Sequence, residues 1–222
     1  MNPTANPAVR RFPWTVGVGL LLLILSLSLA FLLAKAQSRV SRSEPLPVLA
    51  TIADFSLTNQ DGTAVSLANL RGHVWVADII FTRCPGPCLR MTRQMKELQE
   101  ALPKDKQTRL VSLTTDSDYD TPTVLKTYAQ RNGADTGCWT FLTGTKKEVN
   151  NLAVDSLKLS AVEKKPEERV SPEDLWVHST IFVVVDKRAQ LRDIYQTGGE
   201  DVSWPAEKKK LLAAVKQLER EP

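Results

Sequence analysis

The sequence predicts an α/β fold, a mixed sheet flanked by helices on both faces and preceded by one N-terminal transmembrane helix. Three observations predict it. Apolar β-branched runs alternate with helical patterns between residues 73 and 157, and the order closes with a hairpin and an amphipathic helix. Residues 14–34 form a run of 21 without a charge. A polar stretch, 35–47, follows and ends in Pro45 and Pro47. The expected organisation is a short tail (1–13), an anchor (14–34), a linker (35–47) and one domain (48–222).

A helix over 14–34 rises about 31 Å, enough to cross the hydrocarbon core of a bilayer. Ser26 and Ser28 can bond back to the preceding turn. A cleaved signal peptide is the rival, because Ala34-Lys35-Ala36 has the small-x-small form. The length of the run and the lysine inside that site favour a retained anchor. Arg10 and Arg11 stand before the run and Lys35, Arg39 and Arg42 after it, so basic residues barely orient it. With 13 residues ahead of the span, the simplest arrangement keeps the tail inside and exports the domain.

Within the domain, Asp61-Gly62 separates two alternating stretches, Phe55/Leu57 and 64–67, which is a hairpin signal. HVWVADIIF (73–81) is nearly continuous in apolar character and reads as a buried central strand. Further strands are expected at 109–114 and 139–143. Helices are expected at 121–132, which opens Thr121-Pro122, and at 145–157. Residues 178–186 and 190–195 read as two strands around Lys187-Arg188-Ala189. Leu211, Leu212, Val215 and Leu218 place an amphipathic helix at 205–220. Right-handed crossovers make the first strands parallel, and the late hairpin adds antiparallel ones.

Composition narrows the function. At 42% hydrophobic and 24% charged the chain is globular, and three cysteines are too few for a disulfide framework. The net charge of +4 comes from the first 43 positions, which hold five bases and no acid and leave 24 bases against 25 acids elsewhere. No concentrated basic face follows, so a nucleic-acid partner is excluded.

The chemistry concentrates at Phe81-Thr82-Arg83-Cys84-Pro85-Gly86-Pro87-Cys88, between the central strand and a helix marked by Met91, Met95, Leu98 and Leu102. The prolines suit the first turn of that helix and no later one. Both sulfurs then sit at the carboxyl edge of a parallel sheet and at a helix N-terminus, where ligands of open α/β folds bind. The helix dipole and Arg83 both favour thiolates, and two thiolates make a soft site suited to Cu(I) or Zn. The Cys84–Cys88 spacing suits a bridging metal better than a disulfide, without excluding redox cycling. As catalytic residues, Cys84 and Cys88 would serve thiol–disulfide exchange.

Of the two histidines, His73 begins the central strand and lies about 26 Å from its cysteine end. His178 precedes a strand that, if antiparallel to the central one, delivers it to the cysteines; two thiolates and an imidazole are a copper ligand set. Met91 and Met95 are expected in the core and Cys138 as a buried free cysteine at the opposite edge. Asp116, Asp118 and Asp120 resemble half a calcium loop but lack its glycine and closing glutamate, so turn and capping chemistry explains them better. The charged segment 158–177 reads as a solvated loop, with a mobile lid as the sharper alternative.

FTRCPGPC after an apolar strand, then LVSLTTDSDYDTP, FLTGT and HSTIFVVVD, together resemble the SCO/SenC proteins over residues 50–195. The resemblance implies a thioredoxin-like fold, an inner-membrane anchor and copper held by Cys84, Cys88 and His178. It implies a domain on the periplasmic side of a bacterial inner membrane, or its mitochondrial counterpart. It also implies a role in assembling the binuclear copper centre of cytochrome c oxidase subunit II, or supplying another copper acceptor. Copper delivery, reduction of the acceptor's cysteines, or both would serve that role, the second with a Cys84–Cys88 disulfide as product. The sequence departs from the family pattern at Val177, where aspartate usually precedes the histidine, and at Leu89, where proline is frequent. A thiol peroxidase is a third reading, disfavoured because Thr82 stands only two positions before Cys84.

Overall fold

The computed structural model describes residues 14–40, 44–103, 107–171 and 174–222; the tail 1–13 and linker residues 41–43 lie outside them. The chain divides into two compact units, Met1–Pro45 and Leu46–Pro222. The first contains helix α1, Trp14–Val40, whose leucines from Leu20 to Leu33 are exposed. Among the described residues no helix is long and apolar enough to cross a membrane. The structure therefore does not supply the transmembrane helix expected at 14–34, which rests on the sequence alone. Residues 35–40, expected as part of a polar linker, are helical. Lys35-Ala36-Gln37 are good helix formers and no proline intervenes before Pro45.

The second unit is built on one eight-stranded sheet. Its elements are β1 (Ala50–Thr51), β2 (Ser56–Asn59), β3 (Ala64–Ser66), α2 (Leu67–Leu70), β4 (Trp75–Ile80), α3 (Pro87–Ala101), β5 (Arg109–Thr114), α4 (Pro122–Arg131), β6 (Trp139–Thr143), α5 (Lys146–Asn150), β7 (Ala161–Glu163), β8 (Trp176–His178), β9 (Ile181–Val185), β10 (Gln190–Gln196) and α6 (Trp204–Leu218). The strand order is β1-β10-β9-β4-β5-β6-β2-β3, with β4, β5 and β6 parallel and β9 antiparallel to β4. The β2–β3 turn places Gly62 at φ +76, a left-handed conformation that glycine adopts without steric cost. Asn59 Oδ1 accepts from the Asp61 and Thr63 amides there.

Every residue of β4 is buried, because helices cover both faces of the sheet. Val74, Val76 and Ile80 join α3, α4 and α6 in one core layer. Trp75, Ala77 and Ile79 join α2 and α5 in the other. Met91, Met95 and Leu98 are completely buried on α3, each worth about 1.5–3 kcal/mol of transfer free energy.

Three expectations shift. The helix expected at 145–157 is α-helical only to Asn150 and continues as a π-helical turn, Asn151–Ser156. The segment 158–177 is more than a loop, since it carries β7 and β8, which pair as a separate two-stranded sheet. His178 ends β8 instead of opening β9, because Ser179 and Thr180 turn outward to bond Ser160 and Thr197.

At the opposite edge of the sheet, Arg192 is buried between the N-terminal approach and the C-terminus. Its guanidinium donates to the carbonyls of Leu46 and Pro47 at 3.1 and 3.2 Å and pairs with Asp186 and Glu221 at 2.7 Å each.

Candidate metal centre

The cysteine loop begins where β4 releases the chain. The Cys84 amide donates to the Phe81 carbonyl at 3.2 Å, Gly86 caps α3 and Pro87 occupies its first turn, where the missing N–H costs nothing. Asp120 pins the start of the loop. It accepts the Thr82 amide at 3.0 Å and the hydroxyls of Thr82 and Thr114. Arg83 pairs with Asp116 at 2.6 Å and lies over the Tyr119 ring at 4.0 Å. The trio Asp116, Asp118 and Asp120 thus serves the loop and the turn: Asp118 pairs with Lys146, and Thr121 caps α4.

His178 reaches this loop because β9 runs antiparallel to β4, pairing Trp75 with Val185 and Ala77 with Val183. Residues ahead of Ile181 therefore overhang the carboxyl end of β4. The Nδ1–H of His178 donates to the Ser179 carbonyl at 3.1 Å, which leaves Nε2 as the free lone pair. That nitrogen lies 3.0 Å from Cys88 Sγ, and Phe81 meets the ring edge-on at 5.9 Å. The ligand atoms of Cys84, Cys88 and His178 all lie within 4.8 Å of one another. Donors about 2.0–2.3 Å from one ion stand at most about 4.6 Å apart, so these three are nearly closed around a common point.

The two sulfurs are unequal. Cys84 is half-buried and its pKa is lowered to about 4, first by the hydrogen bond from the Cys88 thiol, against an opposing desolvation, with the amides of Cys88 and Gly86 adding to the effect. Cys88 is buried, and desolvation pushes its thiol well above the usual range. The resting pair holds one thiolate and one thiol. Amides at the head of α3 support the thiolate as expected, but the charge of Arg83 is spent on Asp116.

The other sulfur and imidazole groups stay apart. Met91 and Met95 are core, and His73 bonds the Gln107 carbonyl at 2.9 Å at the far edge. Cys138 also lies at that edge, ahead of β6. It is partly exposed, with its sulfur 3.5 Å from the Asp135 carbonyl, and not buried as expected, because the turn before Trp139 brings it to the surface.

Sequence reasoning missed Asp78. It stands on β4 between Val76 and Ile80 on the face that carries Cys88. It is fully buried, and neither carboxylate oxygen has a hydrogen-bond partner among the described residues. Desolvation raises its pKa to about 7. An acid in the middle of VWVADIIF was the available signal.

The SCO1/SenC family model matches residues 44–213. The SCO1 protein homolog of Bacillus subtilis is 38% identical over 141 residues, 63% of this chain and 70% of that one. BsSco, described as a member of the Sco family of cytochrome c oxidase assembly proteins with a disulfide switch, has a structure matching 81% of this chain and 100% of its own. The TM-score is 0.66 at 29% identity. ScoI of Bradyrhizobium japonicum, solved with copper bound, shares the fold over 76% of this chain and 99% of its own, with TM-score 0.62 at 20% identity. With a helix-flanked mixed sheet of thioredoxin-like type in common with these structures and the family model matched over residues 44–213, this chain belongs to the SCO1/SenC family.

Proposed function

We propose that this protein is a membrane-anchored copper chaperone that binds copper through Cys84, Cys88 and His178 and passes it to an acceptor. The observation that carries the reading is the convergence of two sulfurs and one imidazole nitrogen within 4.8 Å, from chain positions 90 residues apart. Copper is cargo here. The Cys84 thiolate meets it first, Cys88 loses its proton as it coordinates, and the free Nε2 of His178 completes a three-coordinate soft site. Three-coordination leaves room for an incoming thiolate of the acceptor, so transfer proceeds by ligand exchange. Val177 is exposed and supplies no carboxylate beside the histidine; the Ser179 carbonyl orients the ring instead.

The anchor is residues 14–34, with the domain on the periplasmic side of a bacterial inner membrane or its mitochondrial equivalent. The acceptor is subunit II of cytochrome c oxidase or another copper protein. Support comes from family membership and from a related fold solved with copper bound.

Anaerobic titration of the reduced full-length chain with Cu(I) tests the reading. One equivalent is expected to bind, and His178→Ala to weaken binding at least 100-fold. Equal affinity of the two proteins overturns it. The asymmetry of the sulfurs favours a second reading, a thiol–disulfide oxidoreductase in which the Cys84 thiolate attacks an acceptor disulfide and Cys88 resolves the mixed disulfide. That activity does not need His178 as a ligand and survives its removal.

A further inference from the structure

A groove of about 300 Å³ runs between the cysteine loop and α4. On the α4 side Thr123, Thr127 and Arg131 recur every four residues and line one face of the helix, with Tyr128 beside them. On the loop side stand Arg83 and Tyr119, whose ring lies 4.0 Å from the guanidinium. Among the described residues the walls hold two arginines and no acid. Arg83 is paired with Asp116 at 2.6 Å, a residue outside the walls. Arg131 is exposed and makes no ion pair among the described residues.

The groove adjoins the metal centre, because Cys84 follows Arg83 directly. Its α4 wall is also tied to the second cysteine. The Thr92 hydroxyl donates to the Cys88 carbonyl at 2.9 Å, so the Tyr128 hydroxyl, 2.7 Å from the same oxygen, is the donor of that pair.

Tyr119 precedes α4, so Arg83, stacked on its ring, sits at the N-terminal end of the helix and Arg131 at the C-terminal end. From Thr123 to Arg131 the axis rises about 12 Å. That span is too long for one carboxylate and fits two. In an extended chain, side chains four residues apart face the same way about 13 Å from each other. A protein occupant is favoured over a free anion by position: ligand exchange at the Cys84 thiolate brings the acceptor's chain past Arg83.

We propose that this groove docks an extended acidic segment of the copper acceptor, with two carboxylates four residues apart reaching Arg83 and Arg131. The proposal rests on the chaperone reading and names how the acceptor is held.

The test uses the reduced full-length chain in nanodiscs of zwitterionic lipid and the capped pentapeptide Asp-Thr-Ser-Thr-Asp. Binding is followed at low ionic strength by saturation transfer from protein to peptide in NMR titrations, with empty nanodiscs as blank. Saturable binding is expected. Replacing either aspartate of the peptide by asparagine should weaken it about 5-fold. Arg131→Glu should weaken binding of the parent peptide about 10-fold. Of the two peptides with one aspartate replaced by lysine, one and only one should bind Arg131→Glu more tightly than the parent does, because the swap restores a single ion pair. Lys209→Glu makes the same charge change at an exposed position of α6 and should leave binding within about 2-fold.

Four results overturn the inference: no saturable binding, a doubly asparagine-substituted peptide that binds as well as the parent, a Lys209→Glu loss equal to that of Arg131→Glu, or no recovery with either lysine peptide. Complete displacement of the peptide by equimolar inorganic phosphate also overturns it, by assigning the groove to small anions. A Cu(I) titration of the wild-type chain in the same nanodiscs separates the two readings. Copper binding without peptide binding removes the docking groove alone, whereas peptide binding without copper binding removes the chaperone and, with it, the acceptor as occupant.

Discussion

Cys88 Sγ and His178 Nε2 stand 3.0 Å apart, although 90 residues separate them in the chain. The contact joins the first turn of α3 to the end of a two-stranded excursion, so the site closes only when both are in place. Several measurable consequences come from how that neighbourhood is built.

The sulfurs should differ in reactivity. Cys84 is half-buried and its pKa is about 4, so it is a thiolate throughout the neutral range; Cys88 is a buried thiol. In the metal-free reduced protein, iodoacetamide should alkylate Cys84 at least 100-fold faster than Cys88. The Cys84 rate should stay flat from about pH 6 to 8 and fall below about pH 4. Peptide mapping by mass spectrometry after timed quenching reads both rates, and comparable rates would contradict the assignment of the anion to Cys84.

Asp78 should make the fold acid-favoured. Its folded pKa of about 7 lies above the ordinary 3.8, so the folded state keeps the proton longer than the unfolded chain. Its contribution is fully favourable below about pH 4 and is lost as pH rises through about 7, a swing of about 4 kcal/mol. Asp78→Asn removes the swing. Urea unfolding at several pH values should show the variant gaining on the wild type by several kcal/mol between pH 4.5 and 8. A constant difference across that range would show that the folded-state pKa of Asp78 is not raised above its ordinary value.

Asp120 is the clamp of the cysteine loop. Removing its carboxylate in Asp120→Ala leaves the Thr82 amide and two hydroxyls without their acceptor, a loss of about 2–3 kcal/mol. Copper should then be released faster than from the wild type, because Cys84 follows Thr82 by two residues. Stopped-flow transfer to a chelator measures the release, and an unchanged rate would confine Asp120 to stability.

The methionines should be silent toward metal. Met91 is completely buried in the core layer, so Met91→Leu should change stability by less than about 1.5 kcal/mol. Its Cu(I) affinity should equal that of the wild type in the same titration, and any clear drop would bring a thioether into the ligand set.

What the sequence made legible follows periodicity and edge position. β5 and β6 fall on the expected residues, and α4 and α6 within two residues at either end, because α4 opens with the capping pair Thr121-Pro122 and α6 carries a long apolar stripe. The meeting of Cys84, Cys88 and His178 was legible because antiparallel pairing with β4 leaves no other end for His178. The β7–β8 pair was not, since a three-residue strand next to Lys164-Lys165-Pro166 carries too short an alternation to stand out from a solvated loop. The π-helical turn was hidden for a different reason: one extra residue per turn changes hydrogen bonding without changing composition. Asp78 escaped because an otherwise apolar strand masks a single acid, and the Asp116 partner of Arg83 lies 33 residues downstream.

The grip of Arg192 on Leu46 and Pro47 has a mechanical meaning. Val185 pairs with Trp75 at the amino end of β4 and Asp186 follows it, whereas the cysteines lie beyond Ile80, so Leu46 and Pro47 are held at the end of the sheet away from the site. A tug arriving from residues before Leu46 is taken up by a guanidinium clamped to Asp186 and Glu221, as a strain relief takes the load off a cable. The Cys84–Cys88–His178 cluster lies at the other end of the sheet, beyond Ile80, so a load taken up at Arg192 does not bear on it directly.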